Sequence, residues 1–538
     1  MAFLQKCTYL YIRRVQFFCT YTAKLPISVT GSTNSNLQKK KIRLHNLIWT
    51  RIEMYKEALV NPHLPKETCQ EIRKNIMDSK LVKPIAVDSL IMELCYNEQF
   101  ADAGISYYKF LEQNNSQFSV ITACKYLLLY KVKQSPITDV DKRHILNVYK
   151  TIVKQYPVLD SFVATSCIVT LCKIGEWEKS IEIIKCYEMH DSKFLREGYS
   201  VLIDYLLNHC NMELAQKYLI CSFKKDVGPL NYVYNSYLKY CLKDKQTFNE
   251  NIEKLFKLWM RYDIKPDVNT VKEFIQICNK VGWSAKITTM IFTKCSVCQQ
   301  RVLIPPLSEE EFKRLSKTVM QKLFVKKGYK STVPEEIVEF IEFIKETKPY
   351  DIIIDGLNVL HKQHSPKNYK VLDALLTHFN AQNQKVLVIG RNYLTKFKWI
   401  KNLQTKATFF FVDDSSKDDP FVLYATLLNG NDAKFISQDL MRQHKFDLED
   451  GESRALFKRW QFTHQYTFTA HLSPFNLSSN TIDLTLMQNY VTTNTNYIHS
   501  SVHKQNNCWH IPFQLNAIAI QRVNYVHSNH WACFNMCE

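Results

Sequence analysis

Between residue 53 and about residue 290, apolar side chains recur every three or four positions among Lys and Glu, with few Gly or Pro. That spacing predicts amphipathic helices. A longer period is superimposed on it. The stretches Ile168-Val-Thr-Leu-Cys-Lys, Leu202-Ile-Asp-Tyr-Leu-Leu, Tyr237-Leu-Lys-Tyr-Cys-Leu and Phe274-Ile-Gln-Ile-Cys-Asn begin 34, 35 and 37 residues apart. Leu90-Ile-Met-Glu-Leu-Cys repeats the pattern 78 residues before Ile168, two periods upstream, with a degenerate unit near residues 119–130 between them. Each unit runs on into a second apolar stripe, and Gly175 is placed to turn one helix into the next. Two helices per unit, stacked in sequence, predict a superhelical array with a concave face.

The pattern changes at Pro349. Tyr350-Asp-Ile-Ile-Ile-Asp355 is a short β-branched run ending in Asp355-Gly356-Leu-Asn358, as a buried parallel strand enters a loop. Lys385-Val-Leu-Val-Ile-Gly390, Thr408-Phe-Phe-Phe-Val412 and Ala433-Lys-Phe-Ile-Ser437 follow, separated by helical patterns. Strands alternating with helices predict a parallel sheet with crossovers. The fold class expected is therefore α plus α/β: a helical repeat array, a central region split in sequence, and an α/β domain. The segment 473–507, rich in Ser, Thr and Asn, reads as an irregular insertion.

Composition narrows the function. The 538 residues carry 70 Lys+Arg against 51 Asp+Glu, a net charge of +19, with 46% hydrophobic and 22% charged residues. With only 11 Gly and 16 Pro, collagen-like and low-complexity classes are excluded. No run reaches the roughly 18 to 20 apolar residues of a membrane-spanning helix. Excess positive charge favours a polyanionic partner, nucleic acid first. It is unevenly spread: residues 1–52 hold nine Lys or Arg and no acid, whereas Asp351 to Ala470 holds 16 Lys+Arg against 13 Asp+Glu. Residues 1–52, basic and with a hydroxyl-rich stretch at 28–36, have the composition of a mitochondrial presequence. The alternative is a basic arm that touches RNA directly. The 17 cysteines are scattered, often within helical patterns (Cys172, Cys241, Cys278), and read as reduced, buried residues.

Candidate chemistry follows from position. Ligands of parallel sheets bind at the carboxyl ends of the strands. Asp355 closes the first strand, Asp418 and Asp419 follow the third, and Asp439 follows the fourth. Four carboxylates from three strand ends could hold one or two Mg²⁺ or Mn²⁺ ions and serve as the catalytic centre of a phosphodiester hydrolysis. Each also has a plainer role: Asp419 before Pro420 and Asp439 before Leu440 could be N-caps, and Asp355 before Gly356 a turn residue. Asp413 and Asp414 read as solvated neighbours, and Asn358 as a residue that orients Asp355 or a water. Cys295-Ser-Val-Cys298 is either a redox pair or half of a zinc site, the latter favoured because no thioredoxin-like strand precedes it. His510 and Cys533 complete a Cys₃His set for a structural Zn²⁺, with Cys508, His527, His530 and Cys537 as rivals.

A period near 35 with paired helices, and the turn Lys265-Pro-Asp-Val-Asn-Thr, resemble the pentatricopeptide repeat; tetratricopeptide repeats have nearly the same period. Repeats, split zinc site and aspartate-bearing domain in this order resemble the protein-only ribonuclease P family. The resemblance is carried by Ile354-Asp355-Gly356-Leu357-Asn358-Val359, Asp418-Asp419-Pro-Phe-Val-Leu-Tyr424-Ala425, Ile436-Ser-Gln-Asp439-Leu-Met-Arg442-Gln-His444, Phe457-Lys-Arg-Trp460-Gln-Phe-Thr-His464 and Trp509-His510-Ile-Pro512. It implies a PIN-like (NYN) metallonuclease that removes 5′ leaders from precursor transfer RNA. Its metal ligands would be Asp355, Asp418, Asp419 and Asp439, and its zinc ligands Cys295, Cys298, His510 and Cys533. For animal mitochondrial members it also implies location in the matrix and two partners, a transfer RNA methyltransferase subunit and a short-chain dehydrogenase subunit. The organisation expected is a presequence at 1–52, repeats at 53–290, a split zinc-binding region at 291–348 and 471–538, and the nuclease domain at 349–470. The alternatives are a non-catalytic RNA-binding factor, or a nuclease acting on other mitochondrial transcripts.

Overall fold

The computed structural model describes residues 54–78, 83–190, 195–224, 228–291, 294–302, 304–325, 334–361, 369–448, 450–471, 481–486, 501–514 and 530–536. The segment 1–52, read as a presequence, lies outside the described residues, as do His527 and Cys537. The chain divides into two units, residues 1–215 and 216–538. No helix among the described residues is long and apolar enough to cross a membrane.

In the first unit, helices Pro84–Asn97, Val120–Val132 and Ser161–Ile174 each lead a pair completed by Ala101–Gln113, Asp139–Gln155 and Trp177–His190, and Arg196–Asn208 leads the next. Successive leading helices pack on one another and on their own partners. Their starts lie 36, 41 and 35 residues apart, and the second unit continues the period with Tyr232–Cys241 and Val268–Lys280. Every repeat motif seen in the sequence falls on a leading helix. These helices bury side chains on most of their surface, as Val163, Cys167, Ile168, Leu171 and Cys172 show, because neighbours cover them on several sides. Asp139–Gln155 instead buries one stripe, Ile145, Val148 and Ile152, and opens with a capping box in which Thr138 and Asp141 exchange bonds of 3.1 Å. Gly175, at φ 89°, ends Ser161–Ile174 in the left-handed conformation that turns the chain into the next helix.

The second unit holds two sheets. Strands β1 (Ser284–Thr288), β10 (His503–Gln505), β11 (Cys508–Pro512) and β12 (Trp531–Asn535) form an antiparallel sheet in the order β1-β12-β11-β10. Beside it lies the hairpin of β2 (Met290–Ile291) and β3 (Lys294–Cys295). Thus β1, in the segment assigned to repeats, belongs to the sheet completed by the carboxyl-terminal strands.

The other sheet contains β4 (Ile352–Asp355), β5 (Val386–Arg391), β6 (Thr408–Val412), β7 (Lys434–Ile436), β8 (Gln465–His471) and β9 (Thr481–Leu486), in the order β6-β5-β4-β7-β8-β9. All neighbouring pairs are parallel except β8 with β9. The four expected strands form. The fifth parallel strand and the antiparallel edge were not foreseen, and β9 lies in the segment read as irregular. Alternate residues of the central strands feed two cores. Ile353, Leu387, Ile389 and Phe435 face helices Glu309–Val325, Pro334–Thr347, Asp419–Leu428 and Gly451–His464, whereas Ile352, Ile354, Val386 and Val388 face Tyr369–Ala381. The helices at 309–347, assigned from sequence to the zinc-binding region, therefore pack in the core of the α/β domain. Helix Gly451–His464 is also braced outward: Glu452 takes Arg261 at 2.8 and 3.2 Å and Arg314 at 2.8 Å, Arg459 grips Glu311 at 2.8 and 3.1 Å, and Lys458 meets Asp263 at 2.7 Å.

Candidate metal centres

The parallel strands run β6-β5-β4 to one side and β7-β8 to the other, so the topology reverses between β4 and β7. The crevice at the carboxyl ends there is the expected binding position. Asp355 is the last residue of β4 and is 1% exposed. One carboxylate oxygen accepts the Asn358 N–H at 3.0 Å, and the other accepts the Ser437 hydroxyl, just past β7, at 2.9 Å. The turn after Asp355 needs glycine: a Cβ on Gly356 would lie 2.7 Å from the carbonyl oxygen of Ile389 and 3.1 Å from Cγ1 of Val388.

Asp418 and Asp419 come from the loop after β6. Asp418 stands at the N-cap of Asp419–Leu428, but its side chain makes no capping bond and faces Arg391 at the end of β5, 3.4 Å away. Asp419 lies 3.7 Å from His444 Nε2. Asp355, Asp418 and Asp419 each present an oxygen within 4.8 Å of the others. Burial, reinforced by Asp418 and Asp419, pushes the Asp355 carboxyl up to about 7. Burial followed by the charge of Asp419 also raises Asp418, against the pull of Arg391. Three mutually repelling carboxylates, one buried and two half-buried, are the donor set a hard divalent cation fits, since its charge favours all three ionised forms.

Asp439 is not in that cluster. It is exposed, and its carboxylate accepts the Met441 N–H at 2.7 Å, closing a turn just before helix Arg442–Asp447, whose N-cap is Met441 rather than Asp439. It remains coupled to the centre, because its own N–H donates to Ser437 Oγ at 3.1 Å. Asn358 orients Asp355 through its backbone, while its side-chain oxygen accepts the Gln438 N–H at 2.7 Å. Asp414 accepts the Tyr393 N–H at 3.0 Å, and Asp413 binds Ser415 at 2.8 Å. Neither joins the cluster.

Sequence reasoning passed over Ser437, Gln465, Arg391 and His444. Gln465, fully buried at the start of β8, donates to the carbonyls of Ser437 and Asp439 at 2.6 and 2.7 Å and so fixes the exit of β7. The available signals were a serine between a strand and an aspartate, and an arginine ending an otherwise apolar strand.

The second cluster lies on the antiparallel sheet. Cys295, Cys298, His510 and Cys533 present ligand atoms within 4.8 Å of one another. His510 and Cys533 are direct cross-strand partners on β11 and β12, while Cys295 ends β3 and Cys298 lies in the turn that follows it. His510 Nε2 lies 3.2 Å from Cys298 Sγ. Burial holds the His510 imidazole down to about 4, in the neutral form that ligates metal, and pushes the Cys533 thiol strongly up. At Cys295 burial is outweighed by the Thr288 hydroxyl and the N–H groups of Cys298 and Val297, which lower it. Three thiols and an imidazole at this spacing suit a closed tetrahedral site. Of the rivals, Cys508 is buried beside Cys298 and Cys533 but outside the four, and His530 stacks on Phe513.

Residues 291–533, which contain both clusters, match the family model for protein-only RNase P. Over these residues the chain is similar to the protein-only RNase P family. It is 28% identical over 405 residues to the mitochondrial ribonuclease P catalytic subunit of Rattus norvegicus, covering 72% of this chain and 66% of that protein. It is 31% identical over 274 residues to the Mus musculus protein of the same name, covering 49% of this chain and 44% of that one. The chain thus spans just under two thirds of one relative's length and under half of the other's. Among solved structures, two of nuclear protein-only RNase P 2 from Arabidopsis thaliana superpose with TM-scores of 0.57 and 0.56 at 14% and 13% identity. Each match covers 85% of this chain and all of that one, a likeness of fold.

Proposed function

We propose that this chain is a protein-only RNase P and thus a metal-dependent endoribonuclease. It removes 5′ leaders from precursor transfer RNA in the mitochondrial matrix, as the catalytic subunit of a ribonuclease P. The observation that carries the reading is the convergence of Asp355, Asp418 and Asp419 at the switch point of the parallel sheet. The likeness to the rat and mouse mitochondrial ribonuclease P catalytic subunits supports the substrate class and the compartment.

In the reaction a water oxygen attacks phosphorus and the bond to the leaving 3′-oxygen breaks, leaving a 3′-hydroxyl on the leader and a 5′-phosphate on the mature end. Mg²⁺ or Mn²⁺ held by the aspartates supplies charge neutralisation of the phosphate and a more acidic water. The chain's own residues do the rest. Asn358 and Ser437 each hold one oxygen of Asp355, fixing its plane before substrate arrives. Arg391 stands beside Asp418 and offers a guanidinium to the phosphate, while His444 Nε2 faces Asp419. Asp439 borders the centre through Ser437. Cys295, Cys298, His510 and Cys533 would hold a structural Zn²⁺, which would tie the end of β3 and the turn after it to β11 and β12. A transfer RNA methyltransferase subunit and a short-chain dehydrogenase subunit are the partners that the family resemblance implies.

The test is cleavage of a precursor transfer RNA by the native chain, with and without those two subunits, beside an Asp418→Asn/Asp419→Asn double variant. Loss of cleavage in the variant with RNA binding retained is expected. Undiminished cleavage by the variant would overturn the assignment, and equal cutting of unstructured RNA of the same length would move the substrate to other transcripts.

A further inference from the structure

From residue 374 to residue 412 the chain carries six Lys or Arg and no acid. A ladder of aromatic rings joins Tyr369, just before this stretch, to its middle. Tyr369 stacks on Trp399 with centroids 5.6 Å apart and planes 18° from parallel, and Trp399 stacks on Phe397 at 5.5 Å and 20°. Phe397 ends the ladder 45% exposed, with Lys396 and Lys398 exposed on either side of it and Lys401 beyond. A solvent-facing phenyl ring continuing a stack, among lysines, is more than the core requires: Leu357, Leu394 and Ile400 are already covered by Trp399, Tyr393, Phe409 and Phe411 without it.

The ladder is tied to the acidic centre. Leu357, in the cluster under Trp399, is two residues past Asp355. The segment bearing Phe397 begins directly after Arg391, which contacts Asp418, and is bonded to the loop of Asp418 through the Tyr393 N–H and Asp414.

We propose that Phe397 and Trp399, with Lys396, Lys398 and Lys401, form a stacking platform for single-stranded RNA that takes unpaired leader nucleotides next to the scissile phosphate. The identity of the strand as leader rests on the function proposed above; the platform's preference for single-stranded RNA does not. Every base has a face on which an aromatic ring can stack, so the platform accepts leaders of any sequence, and the lysines track the backbone. An acidic protein partner is the rival occupant, but parallel rings terminating in an exposed one offer a flat face suited to a base.

Two exposed-site variants test this in the full-length chain, Phe397→Ala and Lys396→Ala/Lys398→Ala, with Trp399→Phe as the conservative change that keeps a ring. The first readout is fluorescence anisotropy of a labelled single-stranded oligouridylate of about ten nucleotides. Phe397→Ala should weaken it about tenfold, the lysine pair should reduce the salt dependence of binding, and Trp399→Phe should retain most of the affinity. The second readout is the binding of precursor transfer RNAs with long and with single-nucleotide leaders, where the loss should be confined to the long leader. Oligouridylate affinity unchanged in both exposed-site variants, as a protein-docking surface would give, overturns the platform. An equal loss for both leader lengths overturns its assignment to the leader. Failure of the chain to cut any precursor would count against the proposed function while leaving the oligouridylate result to decide the platform.

Discussion

Gly356→Ala is the smallest perturbation that reaches the acidic centre without touching a carboxylate. The added methyl would sit 2.7 Å from the Ile389 carbonyl oxygen, about half an ångström or more inside contact distance. Ile389 cannot retreat, because its strand is laddered to Asp355 on one side and to Phe410 on the other. The end of β4 must therefore give way. Overpacking of this kind costs about 1–3 kcal/mol. For a domain of this size that lowers the melting temperature by about 3–10 °C. The larger effect falls on the reaction. Asp355 immediately precedes the displaced residue and meets Asp418 and Asp419 within 4.8 Å. Misplacement approaching 1 Å costs on the order of a hundredfold in rate. Single-turnover cleavage at saturating RNA, with thermal unfolding followed in parallel, should show a rate loss of about 10- to 100-fold with RNA affinity maintained. Adding Val388→Ala should not rescue it, since the nearer obstacle is backbone. Wild-type melting and a wild-type rate in Gly356→Ala would refute the close approach and the rigidity attributed to this strand end.

Two further outcomes concern stability. Elemental analysis of the native protein should find about one zinc per chain, and Cys298→Ser should lose it and melt at a lower temperature; native protein free of zinc would remove the structural-metal reading. Burial holds His464 down to about 4 and His503 to about 3, so both stay neutral in the folded chain at pH values where the unfolded chain protonates them. Their contribution is complete above the ordinary histidine value near 6.5 and is lost as pH falls from there towards 3, by at most about 1.4 kcal/mol per pH unit for each residue. Urea unfolding between pH 7 and pH 4.5 should show that decline, and His503→Gln should flatten part of it; stability constant over this range would contradict the burial of both rings.

What could be read in the sequence was what local pattern encodes. Asp355 was visible because a β-branched run ended on it, and the repeats because their apolar motifs recur. Strand β8 was not visible, since Gln465 follows the last residue of helix Gly451–His464 with no Gly or Pro to mark the change. Strand β9 was hidden by its polar neighbours, and β1 by a Lys-Ile-Thr texture that continues the pattern of the preceding helix. Ser437 and Gln465 act through bonds to residues distant in sequence, which no spacing rule reports. Asp439 illustrates the converse: sequence offered both a ligand and an N-cap, and its carboxylate instead closes a turn on the Met441 N–H, the N-cap of the next helix being Met441.

The pairing of β1 with β12 sets an order on biosynthesis. Lys286 lies opposite Cys533, so the whole six-stranded sheet is made between the two halves of the antiparallel one. A chain emerging amino-terminus first can stack its helices and close the parallel sheet while β1 still lacks its neighbour. The cysteine pair at residues 295 and 298 waits with it, two ligands short. The thiol site can therefore be completed only after residue 533 has been made, and a product shortened by a premature stop before it would leave β1 without its neighbour, an edge open to other chains and a mark for degradation.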